Sequence, residues 1–305
     1  MIKRFIRFCT VIFGVLSLTF LLIHLVPGDP VEVMLGESAS MADRQALRAE
    51  LGLDQSIARQ FGRYLNRLAH ADFGVSIHSQ TPIMALIKAR YPATLKLAGL
   101  ALLIGLGVGI PLGIYAALKA GRWQDLVVTL VSVRLSAMPA FWLGPMLMLI
   151  FAVWLGCLPV SGMDSPSSII LPALTLGLGL SAILTRMTRT SLLEVLNDDY
   201  IRTARAKGLS EPQVILRHAL RAALLPIITI VGLQMGGLLA GTVITETIFS
   251  WDGIGLLLVE SIEKRDYPVT QACVLLVALS YVMVNVLTDL LYRLADPRIK
   301  FGSAA

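Results

Sequence analysis

The sequence predicts an all-α membrane protein with about six transmembrane helices. Of its 305 residues, 56% are apolar and only 15% are charged, and the mean hydropathy is +0.75. A typical soluble domain is about half apolar and about a quarter charged. The apolar residues also gather into runs of about 20, which is the length that crosses a bilayer. These observations exclude an ordinary soluble domain.

The first run covers residues 8–26 and follows Lys3, Arg4 and Arg7. It is longer than the apolar core of a signal peptide, and no small-x-small cleavage site follows it. Residues 1–26 are therefore expected to form a retained N-terminal anchor helix that enters the membrane from the cytoplasm.

The next segment, residues 27–93, mixes charged and apolar residues and is expected to be extracytoplasmic. Within it, Ile57, Phe61, Leu65 and Leu68 recur at steps of three and four residues. This spacing is typical of an amphipathic helix with one apolar face.

Five further apolar runs complete the predicted set of six, and each is long enough to cross a bilayer. The longest is expected to be tilted or broken near Met138 and Pro139, because proline interrupts a helix. The runs cover residues 94–118, 126–155, 169–185, 224–248 and 269–292.

Lysine and arginine are distributed unevenly among the segments that join these runs. The predicted inner segments hold most of them, for example Lys119 and Arg122, whereas the short outer loops hold only Lys264 and Arg265. An excess of basic residues is typical of cytoplasmic loops. Both termini are therefore expected in the cytoplasm, with residues 294–305 as a cytoplasmic tail.

Few ionisable residues fall within the predicted spans, where each costs about 3 kcal/mol on insertion scales. Arg134 either extends its guanidinium group to the inner interface or lines a translocation path, and the sequence leaves both open. Asp289 and Arg293 lie four residues apart near the inner end of the last run, which indicates a structural ion pair. No deeply placed carboxylate is expected.

The run over residues 224–248 carries small and weakly polar residues at helical steps. Such residues allow the backbone of a neighbouring helix to approach closely. They also suit the wall of a cavity that passes polar solutes, and both interpretations stay open. The four that would share one face, and that are candidates for the translocation path, are Gln234, Gly237, Gly241 and Thr245.

The longest polar interval in the second half of the chain, residues 191–226, is predicted to lie in water as two short helices joined by a turn. Gly208 can adopt the left-handed conformation that ends the first helix. Ser210 and Gln213 match a capping box that would start the second helix.

The second of these helices is predicted to be amphipathic. Leu216, Leu220 and Leu224 would form an apolar stripe, with Arg217 and Arg221 on an adjoining face. An exposed helical pair with an apolar stripe favours docking into the groove of a partner protein.

The segment around Gly208 resembles the cytoplasmic signature of permeases of ATP-binding-cassette (ABC) importers. That signature is Glu-Ala-Ala, three residues and a glycine, and residues 202–204 hold Arg-Thr-Ala in the first three positions. Residues 199–209 are most similar to the branch of dipeptide, oligopeptide, nickel and glutathione permeases. The Pro-Gly-Asp-Pro sequence at 27–30 is similar to the B-type subunit of that branch. Residues 246–255 are similar to its outer loop, with Asp252 where the family usually has proline.

The resemblance implies a fold of the type I ABC importer kind. Residues 94–293 would form the transmembrane transport domain, and residues 191–226, between helices 4 and 5, would dock into an ATPase subunit. The residues assigned to this ATPase-coupling loop are Tyr200, Arg202, Thr203, Ala204, Arg205, Lys207, Gly208, Leu216, His218, Leu220 and Arg221.

The resemblance also implies a function, namely the B-type transmembrane subunit of an ATP-driven importer of short peptides in a bacterial inner membrane. Nickel chelate or glutathione are alternative cargoes. The implied partners are a second homologous permease in a heterodimer, two ABC ATPase subunits, a substrate-binding protein and the lipid bilayer, with no nucleic acid. Residues 27–93 would either contact the substrate-binding protein or cap the chain's own helices.

The sequence contains no Gly-x-x-x-x-Gly-Lys-Ser/Thr motif, the loop that binds ATP phosphates. ATP and magnesium are therefore expected on partner subunits, and this chain is expected to be a transport subunit without a cofactor, not an enzyme. Cys9, Cys157 and Cys273 lie far apart and predict no metal site. A self-sufficient secondary carrier is disfavoured, because it would show inverted repeats around a deep ionisable site.

Overall fold

The structure is a computed structural model that describes residues 2–25, 31, 35, 40–51 and 53–295. The tetrapeptide at residues 27–30 and the tail from 296 onwards lie outside the described residues, as do the side chains of Asp289 and Arg293. In the described part, the regular elements are helices, and Val75 and Pro82 form an isolated β-bridge. The helical architecture confirms the predicted fold class.

Eleven α-helices are named here in chain order. They are α1 (Ile2–Leu25), α2 (Met41–Leu51), α3 (Ile57–Ala69), α4 (Ile83–Leu118), α5 (Trp123–Ala137), α6 (Ala140–Leu147), α7 (Ile170–Leu196), α8 (Asp199–Ala206), α9 (Leu220–Phe249), α10 (Ile254–Glu263) and α11 (Tyr267–Ala295). A π-helical segment, Met148–Trp154, follows α6, and a 3-10 turn, Pro166–Ile169, precedes α7. A helical turn, Glu211–Gln213, and a π-helical segment, Val214–Ala219, lead directly into α9.

Four helices of the described residues are long and apolar enough to cross a membrane. They are Ile83–Leu118, Pro166–Leu196, Glu211–Phe249 and Tyr267–Thr288. The pair Trp123–Ala137 and Ala140–Trp154 adds a broken span or a re-entrant loop, and α1 contributes the shorter apolar stretch Thr10–Leu21. The count of six spans therefore stays a prediction.

The break expected near Met138 and Pro139 is confirmed. The helices on either side, α5 and α6, meet at an angle of 108°. Met138 is extended, with φ −83° and ψ 119°, because a residue that precedes proline is disfavoured in the helical region. Pro139 then provides the N-cap position of α6.

Three helices extend well beyond the apolar runs that predicted them. The run at 94–118 lies in a helix that begins at Ile83, the run at 169–185 lies in one that ends at Leu196, and the run at 224–248 lies in one that begins at Glu211. An apolar run marks the part of a helix that suits hydrocarbon, whereas helical hydrogen bonds continue into polar residues. The predicted span boundaries at 94, 185 and 224 therefore lie inside longer helices, and as membrane boundaries they stay predictions.

The chain forms two compact units, which are described separately. The first contains residues 1–93 and 252–280, and the second contains residues 94–251 and 281–305.

In the second unit, α7 is the central helix, and α5, α6 and α9 pack on it. Glycines bring the backbone of α4 against it as well. A Cβ atom at Gly109 would lie 2.8 Å from the Ser181 carbonyl oxygen, and one at Gly113 would lie 2.7 Å from the Thr185 carbonyl oxygen. Any larger residue at these two glycines would collide with backbone atoms, so α4 and α7 are in direct backbone contact.

An ion pair also joins α5 to α7 within this unit. Arg189 donates from Nε to Oδ1 of Asp125 (2.5 Å) and from Nη2 to Oδ2 (2.7 Å). The same carboxylate accepts hydrogen bonds from the Gly121 amide (3.0 Å) and the Thr129 hydroxyl (3.4 Å). Asp125 is only 5% exposed, and this full set of donors compensates for the loss of its hydration.

The core of the first unit is apolar and combines the start of α4 with α10 and α11. One buried cluster contains Ile83, Ile87, Ile254, Leu257, Val269, Ala272 and Cys273.

Two polar contacts fix the loops of the first unit. Ser76 donates a hydrogen bond to Asp266 (2.5 Å) in the turn before α11. Arg90 pairs with Asp252 (2.9 Å) and with Glu260 (3.3 Å). Asp252, which stands where the resembled family usually has proline, thus holds its loop to α4 by charge.

Helix α3 packs on α1, also within the first unit. The Phe61 ring lies 6.0 Å from the Phe13 ring and 5.1 Å from the Phe20 ring, measured between centroids. The hydroxyls of Tyr64 and Thr19 are hydrogen bonded at 3.0 Å. Burial raises the pKa of the Tyr64 phenol, and the Thr19 bond partly opposes this. Part of the segment 27–93 therefore caps a helix of its own chain.

Candidate coupling and translocation sites

The candidate coupling site is the corner formed by α8 and the start of the long helix that becomes α9. Gly208 has φ +79°, the left-handed conformation expected of the residue that ends α8. Ser210 and Gln213 form the predicted capping box, in which the Ser210 amide donates to Oε1 of Gln213 at 3.2 Å. The local geometry read from the sequence is therefore confirmed at both positions.

Buried side chains hold α8 against this long helix. Ile201 and Ala204 are the buried residues of α8, and Val214, Ile215 and Ala219 are buried in the facing π-helical segment. Ala204, assigned to the coupling loop from its motif position, lies inside the corner and not on its surface. It positions α8 instead of offering a contact to a partner.

The prediction of two short helices is wrong for the second one. The helix that begins at Glu211 continues without interruption to Phe249. Pro226 lies within it, and the chain accommodates the missing amide without a break. The predicted second short helix and the predicted span at 224–248 are therefore parts of one continuous helix.

The π-helical segment also changes which side chains face outwards. One extra residue per turn rotates the following positions relative to an α-helix. Leu216 is 61% exposed, whereas Leu220 and Leu224 are half-buried. Of the three leucines predicted to form the apolar stripe, Leu216 is therefore the most exposed, and Leu220 and Leu224 present less of their surface.

The outer surface of the corner is mainly basic. Arg205 forms a bidentate pair with Glu211, at 2.8 Å and 3.3 Å, and Arg202 lies 3.6 Å from Asp199. Three further cations are in no ion pair with a carboxylate of the described residues, and they are Lys207, Arg217 and Arg221.

Two other assigned residues complete this surface. Tyr200 is 44% exposed, and its pKa is raised by partial burial and by the nearby Asp198 carboxylate. Thr203 is exposed and donates to the Asp199 carbonyl oxygen at 2.9 Å. His218 is half-buried in the π-helical segment, so it contributes less to the surface than its sequence position suggested.

The four candidate path residues of α9 differ in their surroundings. Gln234 and Gly241 are half-buried and Gly237 is exposed. Thr245 is fully buried, and its hydroxyl has no hydrogen-bond partner among the described residues. Exposure along this face therefore decreases from Gly237 to Thr245.

Neighbouring glycines of α9 serve helix packing. A Cβ atom at Gly232 would collide with Thr288, and one at Gly236 would collide with the Tyr281 ring. Close approach of another helix is thereby confirmed for these two glycines, whereas Gly237 is open apart from Gln234.

Arg134 lies in the last turn of α5, just before the 108° break. It is exposed. It lies eleven residues after Trp123, where α5 begins, or about three turns into the helix. Both of its predicted roles stay open.

One buried carboxylate lies in a predicted span, but it belongs to the last turn of α9 and not to its middle. Glu246 of α9 is fully buried and accepts a hydrogen bond from the Thr94 hydroxyl of α4 at 2.7 Å. The predicted run at 224–248 already includes Glu246, and the resemblance to the family's outer loop begins at the same residue, but neither predicts that its side chain is buried.

Sequence reasoning also missed the Asp125 and Arg189 pair. The two residues are separated by 64 positions, and each occurs near a predicted membrane boundary, where an isolated charge is ordinary. The repeat of Gly105, Gly109 and Gly113 was a usable signal, because small residues four apart mark close helix contacts. Within the described residues, no group of three or more His, Cys, Asp or Glu side chains could hold a metal ion.

Comparison with known proteins identifies two matching families along the chain. The family described as binding-protein-dependent transport system inner membrane component matches residues 109–301. The corresponding N-terminal membrane component family matches residues 1–98. The two matches together cover most of the chain.

Similar proteins of known name are permeases. The glutathione transport system permease protein GsiC of Escherichia coli (strain K12) is 42% identical over 300 residues, covering 98% of each chain. The dipeptide transport system permease protein DppB of the same strain is 42% identical over 319 aligned residues, covering 94% of each chain.

Solved structures support the same fold at lower identity. An inward-facing MetNI methionine ABC transporter matches with a TM-score of 0.60 at 17% identity, over 70% of this chain and 97% of that one. An amino acid ABC transporter matches with a TM-score of 0.53 at 17% identity, over 69% of this chain and 94% of that one. This chain therefore belongs to the family of binding-protein-dependent inner membrane transport components, the permeases of ABC importers, and is a multi-pass transport subunit rather than an enzyme.

Proposed function

We propose that this chain moves short peptides across the inner membrane, driven by separate ATPase subunits. These subunits bind the corner formed by α8 and the start of the helix at Glu211. Permeases of this family work with ATPase and binding-protein partners. ATP and magnesium bind to the ATPase subunits. When these subunits close around ATP, they move α8. The spans then alternate between inward-open and outward-open states.

The observation that carries this proposal is the continuous helix from Glu211 to Phe249. Its 39 residues make a rod of about 58 Å at 1.5 Å per residue. The buried anchors Ile201 and Ala204 attach α8 to the base of this rod. Force applied to α8 is thereby transmitted to the face that carries Gly237 and Gly241.

The energy source must favour one state of the spans. Moving a population from 1:99 to 99:1 requires a ligand to bind one state about 10,000-fold more tightly than the other. ATP bound between two ATPase subunits supplies this preference. A second homologous permease provides the other half of the pathway and the second docking corner, and an extracytoplasmic binding protein delivers the cargo.

The proposed orientation places both termini and α8 in the cytoplasm. The excess of Lys and Arg on the segments between α4 and α5 and around α8 supports it. Residues 27–93 and the turn between α10 and α11 then lie outside.

Short peptides are the proposed cargo, with glutathione as the nearest alternative and nickel chelate as a further one. Relatives named for dipeptide and for glutathione are equally similar to this chain, at 42% identity. Glutathione is itself a tripeptide, so one weakly polar path could admit both, with the choice made by the binding protein.

The docking role is tested by changing exposed residues of the corner. In the double variant Arg205→Glu with Leu216→Asp, the reversed charge and the new carboxylate should abolish co-purification of the ATPase and ATP-dependent uptake. The chain should still insert in the membrane, because both side chains are exposed. Pull-down from solubilised membranes and uptake in proteoliposomes measure the two effects.

The matched control is Arg265→Glu with Val75→Asp, which makes the same changes at exposed positions of the first unit. This control should retain the ATPase. Persistence of both ATPase binding and transport in the Arg205 and Leu216 variant would show that α8 is not the docking element.

Cargo is tested with the assembled importer in proteoliposomes. Uptake of a labelled dipeptide should require ATP and the binding protein, and unlabelled glutathione should compete poorly. Uptake of glutathione in preference to dipeptides would contradict the peptide assignment while leaving the docking proposal intact.

A further inference from the structure

Helix α3 lies beside the most apolar part of α1. Its contacts are with Phe13, Thr19 and Phe20, and all three residues fall within the apolar stretch Thr10–Leu21. On other sides of α1, Val11 is 50% exposed and Leu18 is 67% exposed. Exposed aliphatic side chains on such a helix indicate contact with lipid, so α3 lies beside a surface that lipid can reach.

One flank of α3 carries a row of arginines. Arg59, Arg63 and Arg67 recur every four residues, so they lie above one another along the helix. All three are exposed. None is in an ion pair with a carboxylate of the described residues. Three like charges in a row repel one another unless a partner supplies negative charge.

The apolar side of α3 is wider than its contact with α1. Tyr64 is buried there, but Ile57 is 58% exposed, and Leu65 and Leu68 are only half-buried. An apolar side that continues past its protein neighbour and a polar flank rich in arginine are the features of a helix that lies in a membrane interface.

We propose that α3 is an interfacial lipid-binding helix whose arginine row binds the phosphates of anionic phospholipids. The guanidinium groups of Arg59, Arg63 and Arg67 would each donate two parallel hydrogen bonds to phosphate oxygens. The exposed apolar residues of α3 would contact the acyl chains, as α1 does beside it. Charge complementarity and the lipid-facing neighbourhood favour a phospholipid over an acidic protein surface as the occupant.

This role is independent of the docking and cargo proposals. It rests on the predicted placement of α1 in the membrane and on the contacts of α3. The lipid-binding proposal could therefore fail while the docking and cargo proposals hold, and the reverse.

The test is a titration of the purified full-length chain in detergent with dioleoylphosphatidylglycerol or dioleoylphosphatidylcholine, followed by native mass spectrometry. The natural chain should bind phosphatidylglycerol more tightly than phosphatidylcholine, and raised ionic strength should reduce the difference. The triple variant Arg59→Gln, Arg63→Gln, Arg67→Gln should bind phosphatidylglycerol about a hundredfold more weakly, from about fivefold for each basic residue near a lipid surface.

Two matched variants separate a phosphate site from net charge. Replacing Lys88, Arg122 and Arg265 by Gln removes the same charge from exposed positions elsewhere and should leave the affinity within about twofold. Replacing the three arginines of α3 by Lys keeps the charge but loses the paired hydrogen bonds, and should restore part of the affinity.

Two outcomes would overturn the proposal. Equal phosphatidylglycerol affinity for the natural chain and the triple Gln variant would show that the row binds no lipid. The triple Gln variant could also keep its lipid affinity while the binding protein no longer stimulates ATP hydrolysis by the assembled importer. That result would show that the arginine row binds the binding protein and not lipid. Surface changes of this kind alter stability by about 0.5 kcal/mol or less, so a folded variant is available for both measurements.

Discussion

Two helix contacts of the second unit are built in opposite ways. Where α4 meets α7, glycines bring backbone against backbone, and even a methyl group at Gly109 or Gly113 has no room. Where α8 meets the base of α9, two buried residues, Ile201 and Ala204, make the attachment, and a surface ion pair bridges the outside.

This difference distinguishes a rigid contact, between α4 and α7, from an adaptable one, between α8 and the start of the long helix. A backbone contact has a single geometry, because the interior tolerates no overlap. A small apolar anchor with exposed charges can adapt to a partner while it stays attached. Substitutions at the first contact should therefore destroy the fold, and those at the second should change coupling while the fold persists.

The largest effect is expected for Gly113→Leu. Its side chain would overlap the Thr185 carbonyl oxygen and the Thr188 side chain of α7, so the variant should fail to fold, with a cost above about 4 kcal/mol. Yield after detergent extraction and thermal unfolding measure this.

Gly107→Leu is the control on the same helix, since nothing lies within 4 Å of a Cβ there. It should be as stable as the natural chain or slightly more so, because leucine favours helix. Equal stability of the two variants would contradict backbone contact between α4 and α7.

The next effect concerns Asp125, whose pair with Arg189 ties α5 to α7. Asp125→Ala leaves a cation without its partner and should destabilise the chain by about 3 kcal/mol, toward the low end for buried pairs because Arg189 is partly exposed. The double variant Asp125→Ala with Arg189→Ala should recover part of this loss in thermal unfolding. A double variant no more stable than the single one would show that the unpaired charge is not the cause.

A smaller effect is expected for Ile201→Ala at the anchor of α8. Ile201 is fully buried, and its truncation should cost about 2 kcal/mol, because a corner at the surface can partly collapse around the cavity. ATPase coupling in proteoliposomes should fall more than stability does, since α8 loses its fixed position. If ATPase coupling and stability fell in proportion, Ile201 would act only through the stability of the fold and not through the position of α8.

The smallest effect on stability is expected for Arg205→Gln. Its pair with Glu211 is largely exposed, and such pairs contribute about 0.2 to 1 kcal/mol. The exchanged pair Arg205→Glu with Glu211→Arg should restore the stability in a double-mutant cycle. If Arg205 also contacts the ATPase subunit, the exchanged pair should not restore ATPase binding.

The sequence predicted the features that depend on neighbouring residues. The turn at Gly208 and the capping box of Ser210 and Gln213 involve a few consecutive positions, and Pro139 imposes its break on Met138 locally. The apolar runs did not give the helix ends, because hydrophobicity reports where lipid is tolerated and not where helical hydrogen bonds stop.

Features that depend on distant residues could not be predicted in this way. Glu246 is buried where Thr94, 152 positions away in the sequence, donates a hydrogen bond to it. The π-helical segment, in which Leu216 is exposed, contacts α8, which lies earlier in the chain. One clue was readable, since the four-residue repeat of glycines in α4 predicts a close helix contact.

The corner between α5 and α6 has a consequence for what can surround it. A helix that ends within a membrane leaves its last carbonyl groups without helical amide donors, and hydrocarbon offers none. Where this 108° turn lies within the hydrocarbon layer, it must therefore face water or another polypeptide. Arg134, one turn before the corner, places a cation at the negative end of the α5 dipole, where it offsets part of that deficit.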